Sequence, residues 1–177
     1  AIDFMRLRAE LLVALGQADE AQIIYRHVLE SKAVPWAKLG LARTLYMQER
    51  YAEAEDDLQQ LVKDNHQYVD AYDWLARTRE AAGRLKEAQQ ALEAAVSVSP
   101  HTLRRLMKLG DIAFEAGDMA AAEKALSEVV RKGKYSDFRD PEHHVKLVKV
   151  FVAKGNRMQA EKIIRDLDRS MQGMEQT

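Results

Sequence analysis

The stretch Val69-Asp-Ala-Tyr-Asp-Trp-Leu-Ala-Arg-Thr-Arg-Glu-Ala-Ala-Gly83, continuing Arg84-Leu-Lys-Glu-Ala88 through Leu92 and Ala95 to Pro100, decides the fold. Before the glycine, Tyr72, Leu75, Ala76 and Arg79 follow one another at intervals of three, one and three residues. After it, Ala88, Leu92 and Ala95 stand four and three residues apart. Both spacings place side chains on one stripe of an α-helix. A single glycine between two such segments supplies left-handed turn geometry at low steric cost. The segment therefore predicts helix, tight turn, helix.

The same unit recurs along the chain. Small residues equivalent to Ala88 are Ala21, Ala54, Ala122 and Ala160, with spacings of 33, 34, 34 and 38. Five residues before each lie Gly16, Glu49, Gly83, Gly117 and Gly155. Four residues after each lie Tyr25, Leu58, Leu92, Leu126 and Ile164. A fixed period of this length marks stacked helical hairpins, each covering the apolar face its neighbour cannot bury alone. The extra residues before the last unit fall in Lys132–Asp140, read as a longer inter-repeat loop that could present Tyr135, Phe138 and Arg139. Pro35 and Pro141 suit the first turn of a helix.

These residues resemble the tetratricopeptide repeat family. Tyr72, Leu75-Ala76, Ala88, Leu92, Ala95 and Pro100 occupy family positions 4, 7 and 8, 20, 24, 27 and 32 of a 34-residue unit. Leu109-Gly110 with Ala122 and Leu126, and Leu41-Ala42 with Ala54, repeat the match. Arg8 at a usually apolar position and His144 at the usual aromatic one depart from it. The resemblance implies an all-α, right-handed superhelical solenoid of about five helix-turn-helix repeats. The expected array is single and spans 2-171, in repeats of approximately 2-34, 35-68, 69-102, 103-136 and 141-171, followed by a polar tail at 172-177.

Composition narrows the function. The 177 residues include 27 Lys+Arg and 28 Asp+Glu, for a formal net charge of -1. The cationic excess on which non-specific nucleic-acid binding relies is missing. Cysteine is absent, which excludes disulfides, thiolate metal sites and a cysteine nucleophile. The adjacent His143 and His144 point about 100° apart on a helix and do not chelate as an i, i+4 pair does. Phosphate loops and nucleophile elbows are lacking, so neither an enzyme nor a cofactor or metal is expected. No apolar run reaches the roughly 18 residues of a membrane span, and membrane insertion is not expected. A start without Met that enters a helix almost at once reads as a segment of a longer protein. Its character resembles repeat segments appended to bacterial response-regulator receivers, and a cytoplasmic location and a role in signal transduction or envelope assembly are expected on that analogy.

In the resembled family the first helix of each pair lines a concave groove. The positions that hairpin packing leaves open there hold Trp36, Leu39, Arg43 and Tyr46 in the second repeat, Trp74 and Arg77 in the third, and Arg104, Met107, Lys108 and Phe114 in the fourth. Aromatic side chains and Arg dominate recognition energy. These residues are the candidate binding site for a protein or peptide partner. Two readings of Trp36 and Trp74 stay open, a ligand-facing role and a seal between repeats. The two-carboxylate clamp of heat-shock co-chaperones is not expected. Its positions hold Leu39, Arg43, Trp74, Arg104 and Lys108, and only the last two resemble it. The expected function is a non-catalytic interaction scaffold gripping a peptide or helix in the groove. The alternative is a self-association module within a larger protein, a homodimer formed through a terminal repeat or through the groove.

Overall fold

The structure is a computed structural model that describes residues 2–133 and 141–174. Residues 134–140, with Tyr135, Phe138 and Arg139, lie outside that set, as do 1 and 175–177; Lys132 and Gly133, expected to open the inter-repeat loop, belong instead to the last turn of the eighth helix, Met119–Gly133. The described residues form α1 (Ile2–Ala14), α2 (Ala18–Ser31), α3 (Pro35–Met47), α4 (Tyr51–Asp64), α5 (Val69–Ala81), α6 (Leu85–Val98), α7 (Leu103–Glu115), α8 (Met119–Gly133), α9 (Pro141–Ala153) and α10 (Arg157–Met174). Successive helices pair as hairpins. The chain divides into two compact units, Ala1–Val98 with three hairpins and Ser99–Thr177 with two.

All five hairpin bends close the same way. The amide of the residue after the bend residue reaches back five positions, as in Gln17 N to Leu12 O (2.9 Å) and Arg84 N to Arg79 O (2.8 Å). The bend residue itself reaches back three, as in Gly16 N to Val13 O (3.1 Å) and Gly83 N to Glu80 O (2.9 Å). This pair of bonds is the Schellman motif, and it requires positive φ at the bend. Gly16, Gly83, Gly117 and Gly155 adopt φ of 77°, 75°, 82° and 70°. Glu49 takes the same geometry at φ 61° without being glycine.

The small residue of each second helix is buried: Ala21, Ala54, Ala88 and Ala122 are at 0% exposure and Ala160 is at 4%. Around them the first unit buries Tyr25, Val28, Leu58 and Leu61, and the second buries Leu126, Val129, Leu147 and Val150. In the first unit Tyr25 stands where the repeats that follow carry Leu. Room for its ring comes from Gly40 on α3, whose missing Cβ would lie 2.3 Å from Tyr25 Cε1. In the last hairpin Ile164, the counterpart of Leu126, is 46% exposed, because no further hairpin covers α10 among the described residues.

The acidic residues of α4 split between surface and interior. Glu53 is exposed. Glu55, two residues further on, is buried. Its Oε1 accepts from Arg79 Nε at 2.8 Å and from Gln59 Nε2 at 3.0 Å, and Oε2 accepts from Arg84. Arg79 Nη1 also donates to the Glu87 carbonyl at 3.1 Å. Burial pushes the Glu55 carboxyl upward, but the hydrogen bonds from Arg84, Arg79 and Gln59 outweigh it and hold it below its ordinary range. Arg79 stands on the stripe of α5 that otherwise carries Tyr72, Leu75 and Ala76. A cation placed among apolar groups needs a charged partner within the same packing layer, and α4 supplies one.

Candidate functional site

In the first unit, α3 touches both α1 and α5, so the first helices of three hairpins form one continuous face. Trp74 of α5 is half-buried on this face. The Arg43 guanidinium lies 5.3 Å from the centre of the indole and that of Arg77 lies 4.5 Å away. Tyr46 meets the indole edge-on at 5.5 Å and 74°, and packs in turn on Tyr51 at 5.4 Å. Four of the residues singled out in the sequence, Arg43, Tyr46, Trp74 and Arg77, therefore converge on one cluster. Guanidinium groups stacked on an indole are attracted by the ring quadrupole and keep their edges open to accept a further anion.

Arg43 is also tied backward. Its Nη1 donates to Glu10 Oε2 at 2.9 Å, joining α3 to α1. Glu10 Oε1 accepts from the Tyr25 hydroxyl at 3.4 Å. Burial, reinforced by the Glu10 charge, pushes the Tyr25 phenol up to about 12. The sequence reading missed Glu10 and Tyr51. Glu10 was findable, because it holds the same position in the first repeat that Arg43 holds in the second.

The other candidates of the first unit sit differently. Trp36 is half-buried, packs edge-on against Tyr25 at 6.2 Å and lies under Arg6 at 5.5 Å. It belongs to the contact between the first and second hairpins. Leu39 is 7% exposed, a core side chain with little surface to offer a partner.

In the second unit Arg104 and Lys108 are exposed on α7 and Met107 is half-buried between them. Phe114 packs against the core cluster that includes Leu147 and Phe151. Lys146 of α9 donates to Asp111 Oδ1 at 2.8 Å and pairs with Glu142 at 3.2 Å. Burial alone would lower the Lys146 ammonium, but these carboxylates raise it above its ordinary value. Among the described residues no group of three or more His, Asp or Glu is arranged to hold a metal ion, and no helix is long and apolar enough to cross a membrane.

Paired helices closed by identical bends, with a buried small residue at the same place in each pair, define a helical-hairpin repeat protein. The tetratricopeptide repeat family model matches residues 5–72 and 75–137. The chain belongs to the tetratricopeptide repeat family, whose members are scaffolds for protein–protein interaction. No curated protein matches it. Among solved structures it is similar to MamA (residues 41 to the end) from Desulfovibrio magneticus RS-1, at 18% identity and a TM-score of 0.74 over 96% of each chain. It is similar to a thermophilic repeat protein of Thermus thermophilus, TTC0263, at 22% identity and a TM-score of 0.64 over 94% of this chain and 89% of that one. A chain of the Naa15/Naa10 structure bound to HypK-THB is similar at 13% identity and a TM-score of 0.81, over 96% of this chain and 25% of that one. At these identities the likeness is one of fold.

Proposed function

We propose that the face formed by α1, α3 and α5 binds a peptide or helix of a partner protein, with Trp74 as its anchor. The observation that carries this reading is the convergence of Arg43, Arg77 and Tyr46 on the half-buried Trp74 indole. Leu75 and Ala76, beside Trp74 on α5, are the buried side chains there, whereas the indole keeps part of its surface open. Clustered Trp, Tyr and Arg supply large contact area with little side-chain entropy to lose. Arg104, Met107 and Lys108 offer the second unit a smaller face of the same kind, able to meet carboxylates through Arg104 and Lys108. The reading assigns the chain no catalytic step, and it fits a role as the interaction segment of a larger bacterial regulatory or envelope-assembly protein.

The test is selection of displayed peptides on the folded chain, with counter-selection on Trp74→Ala/Arg77→Ala, whose helicity is checked by circular dichroism. Peptides retained by the parent and lost by the variant support the reading. Peptides retained equally by both overturn it. Because the sequence has two tryptophans, Trp36→Phe leaves Trp74 as the lone indole, and its emission should shift as a selected peptide is added.

A second reading, self-association, is favoured by one feature: α1 exposes a row of large apolar side chains on the side facing away from α3.

A further inference from the structure

Arg77 is exposed on α5, and among the described residues its guanidinium meets the Trp74 indole and no carboxylate. Arg43 reaches the same ring from α3, with its Nη1 taken by Glu10. With centres 4.5 and 5.3 Å from one ring centre, the two guanidinium groups are no more than about 10 Å apart, the Debye length at about 0.1 M salt, so each feels the other's charge. Arg6 adds a third cation to this face, exposed and lying over Trp36. Glu10 returns a single negative charge to the set.

The other carboxylates of α1, α3 and α5 do not restore the balance. The middle helix, α3, contains no acidic residue. Asp3 and Asp70 lie in the first turns of α1 and α5, where the helix dipole favours them. Asp73 and Glu80 have partners of their own. The aromatic centre of the face therefore keeps a net positive charge, and Arg77 carries it in reach of water. That charge is local, since the whole chain has a formal net charge of -1. A phosphate backbone, whose binding draws on a large cationic excess, is poorly matched to it. A few carboxylates beside apolar side chains are well matched.

We propose that the occupant of this face is an acidic peptide, whose Asp or Glu carboxylate accepts from the Arg77 guanidinium at the edge of the Trp74 ring. The inference rests on the reading of this face as the binding surface and adds the chemistry of the partner. A guanidinium stacked on a ring has its plane fixed, and it presents parallel N–H donors that match a carboxylate. A basic peptide would set its cations against Arg43 and Arg77, and that repulsion excludes it.

The experiment uses the whole 177-residue chain. Random dodecamer peptides from a display library are selected on the parent, on Arg77→Gln and on Arg77→Glu, and sequenced. Arg77 is exposed, so both variants keep the fold, which circular dichroism checks. Asp and Glu should be enriched in the peptides held by the parent. The enrichment should vanish on Arg77→Gln and give way to Lys and Arg on Arg77→Glu. A synthetic peptide of the parent's consensus, followed by Trp74 emission in Trp36→Phe, should bind about tenfold more weakly once Arg77→Gln is added. Its affinity should also fall as salt rises from about 50 to about 500 mM. Peptides that depend on Trp74 but show no acidic enrichment overturn this inference and leave the binding face standing. Acidic enrichment that survives Arg77→Glu overturns it as well. If no peptide is retained, or retention is indifferent to Trp74→Ala, both the inference and the reading beneath it fall.

Discussion

Gly40 and Tyr25 fit together as notch and ring: a Cβ built on Gly40 would stand 2.3 Å from both Cε1 and Cζ of Tyr25. The ring cannot retreat, because it is fully buried and its hydroxyl is directed to Glu10. Gly40→Ala should therefore destabilise the first unit by about 1–3 kcal/mol, the usual cost of overpacking. Pairing it with Tyr25→Leu, the residue of the equivalent position in later repeats, should recover most of that loss. Urea denaturation of the four proteins of this double-mutant cycle checks both expectations, and additive effects would contradict them.

The bends offer a paired test of backbone conformation. Glu49 holds a left-handed φ of 61° that disfavours any side chain. Glu49→Gly should stabilise the chain by roughly 1 kcal/mol. Gly83→Ala should destabilise it by a similar amount, about 1 kcal/mol, for conformational reasons alone, since a Cβ there meets nothing within 4 Å. Thermal unfolding midpoints should move in opposite directions.

The Glu55 carboxylate makes the first unit sensitive to acid. Its folded value lies below that of the unfolded chain. The stability it contributes is complete above the unfolded carboxylate value and is lost as pH falls through the folded one. Glu55→Ala leaves Arg79 without its closest acceptor and should cost roughly 2–3 kcal/mol at neutral pH, less than a fully buried pair would cost, because Arg84 is 38% exposed. Unfolding measured at several pH values should show the gap between parent and variant closing as pH falls.

At the alkaline end the sign reverses. Tyr25 is held neutral in the fold, with its phenol pushed up to about 12 from 10.0. The folded state keeps the proton more tightly, so the associated stability is present below pH 10 and is lost as pH rises toward 12. In Tyr25→Phe this alkaline loss should be absent. Equal slopes for parent and variant between pH 10 and 12 would contradict the assignment.

The repeat was legible because one helical stripe carries it. Ala21, Ala54, Ala88 and Ala122 announce their burial through spacing alone, since each faces the partner helix of its own hairpin. Contacts between hairpins leave a weaker trace. Leu39 lies on a stripe that the hairpin leaves open by its spacing, yet it is buried. Glu55 has the neighbours of a solvated residue in sequence, and only the misplaced charge of Arg79, 24 residues later, hints at its burial. The Trp74 cluster was half legible. Its residue types and their common face could be read, while the stacking of Arg43 and Arg77 on the same indole depends on how α3 meets α5.

The bends close through main-chain atoms, and in four of five the side chain is only a hydrogen. Their geometry is thus almost indifferent to which helices they join. A genetic crossover that fused the front half of one hairpin to the rear half of another, cutting at Glu49 and Gly83, would splice matching ends without a new linker. Selection can thus shuffle recognition faces in this chain by recombination, leaving to side-chain repacking only the fit between the newly joined halves.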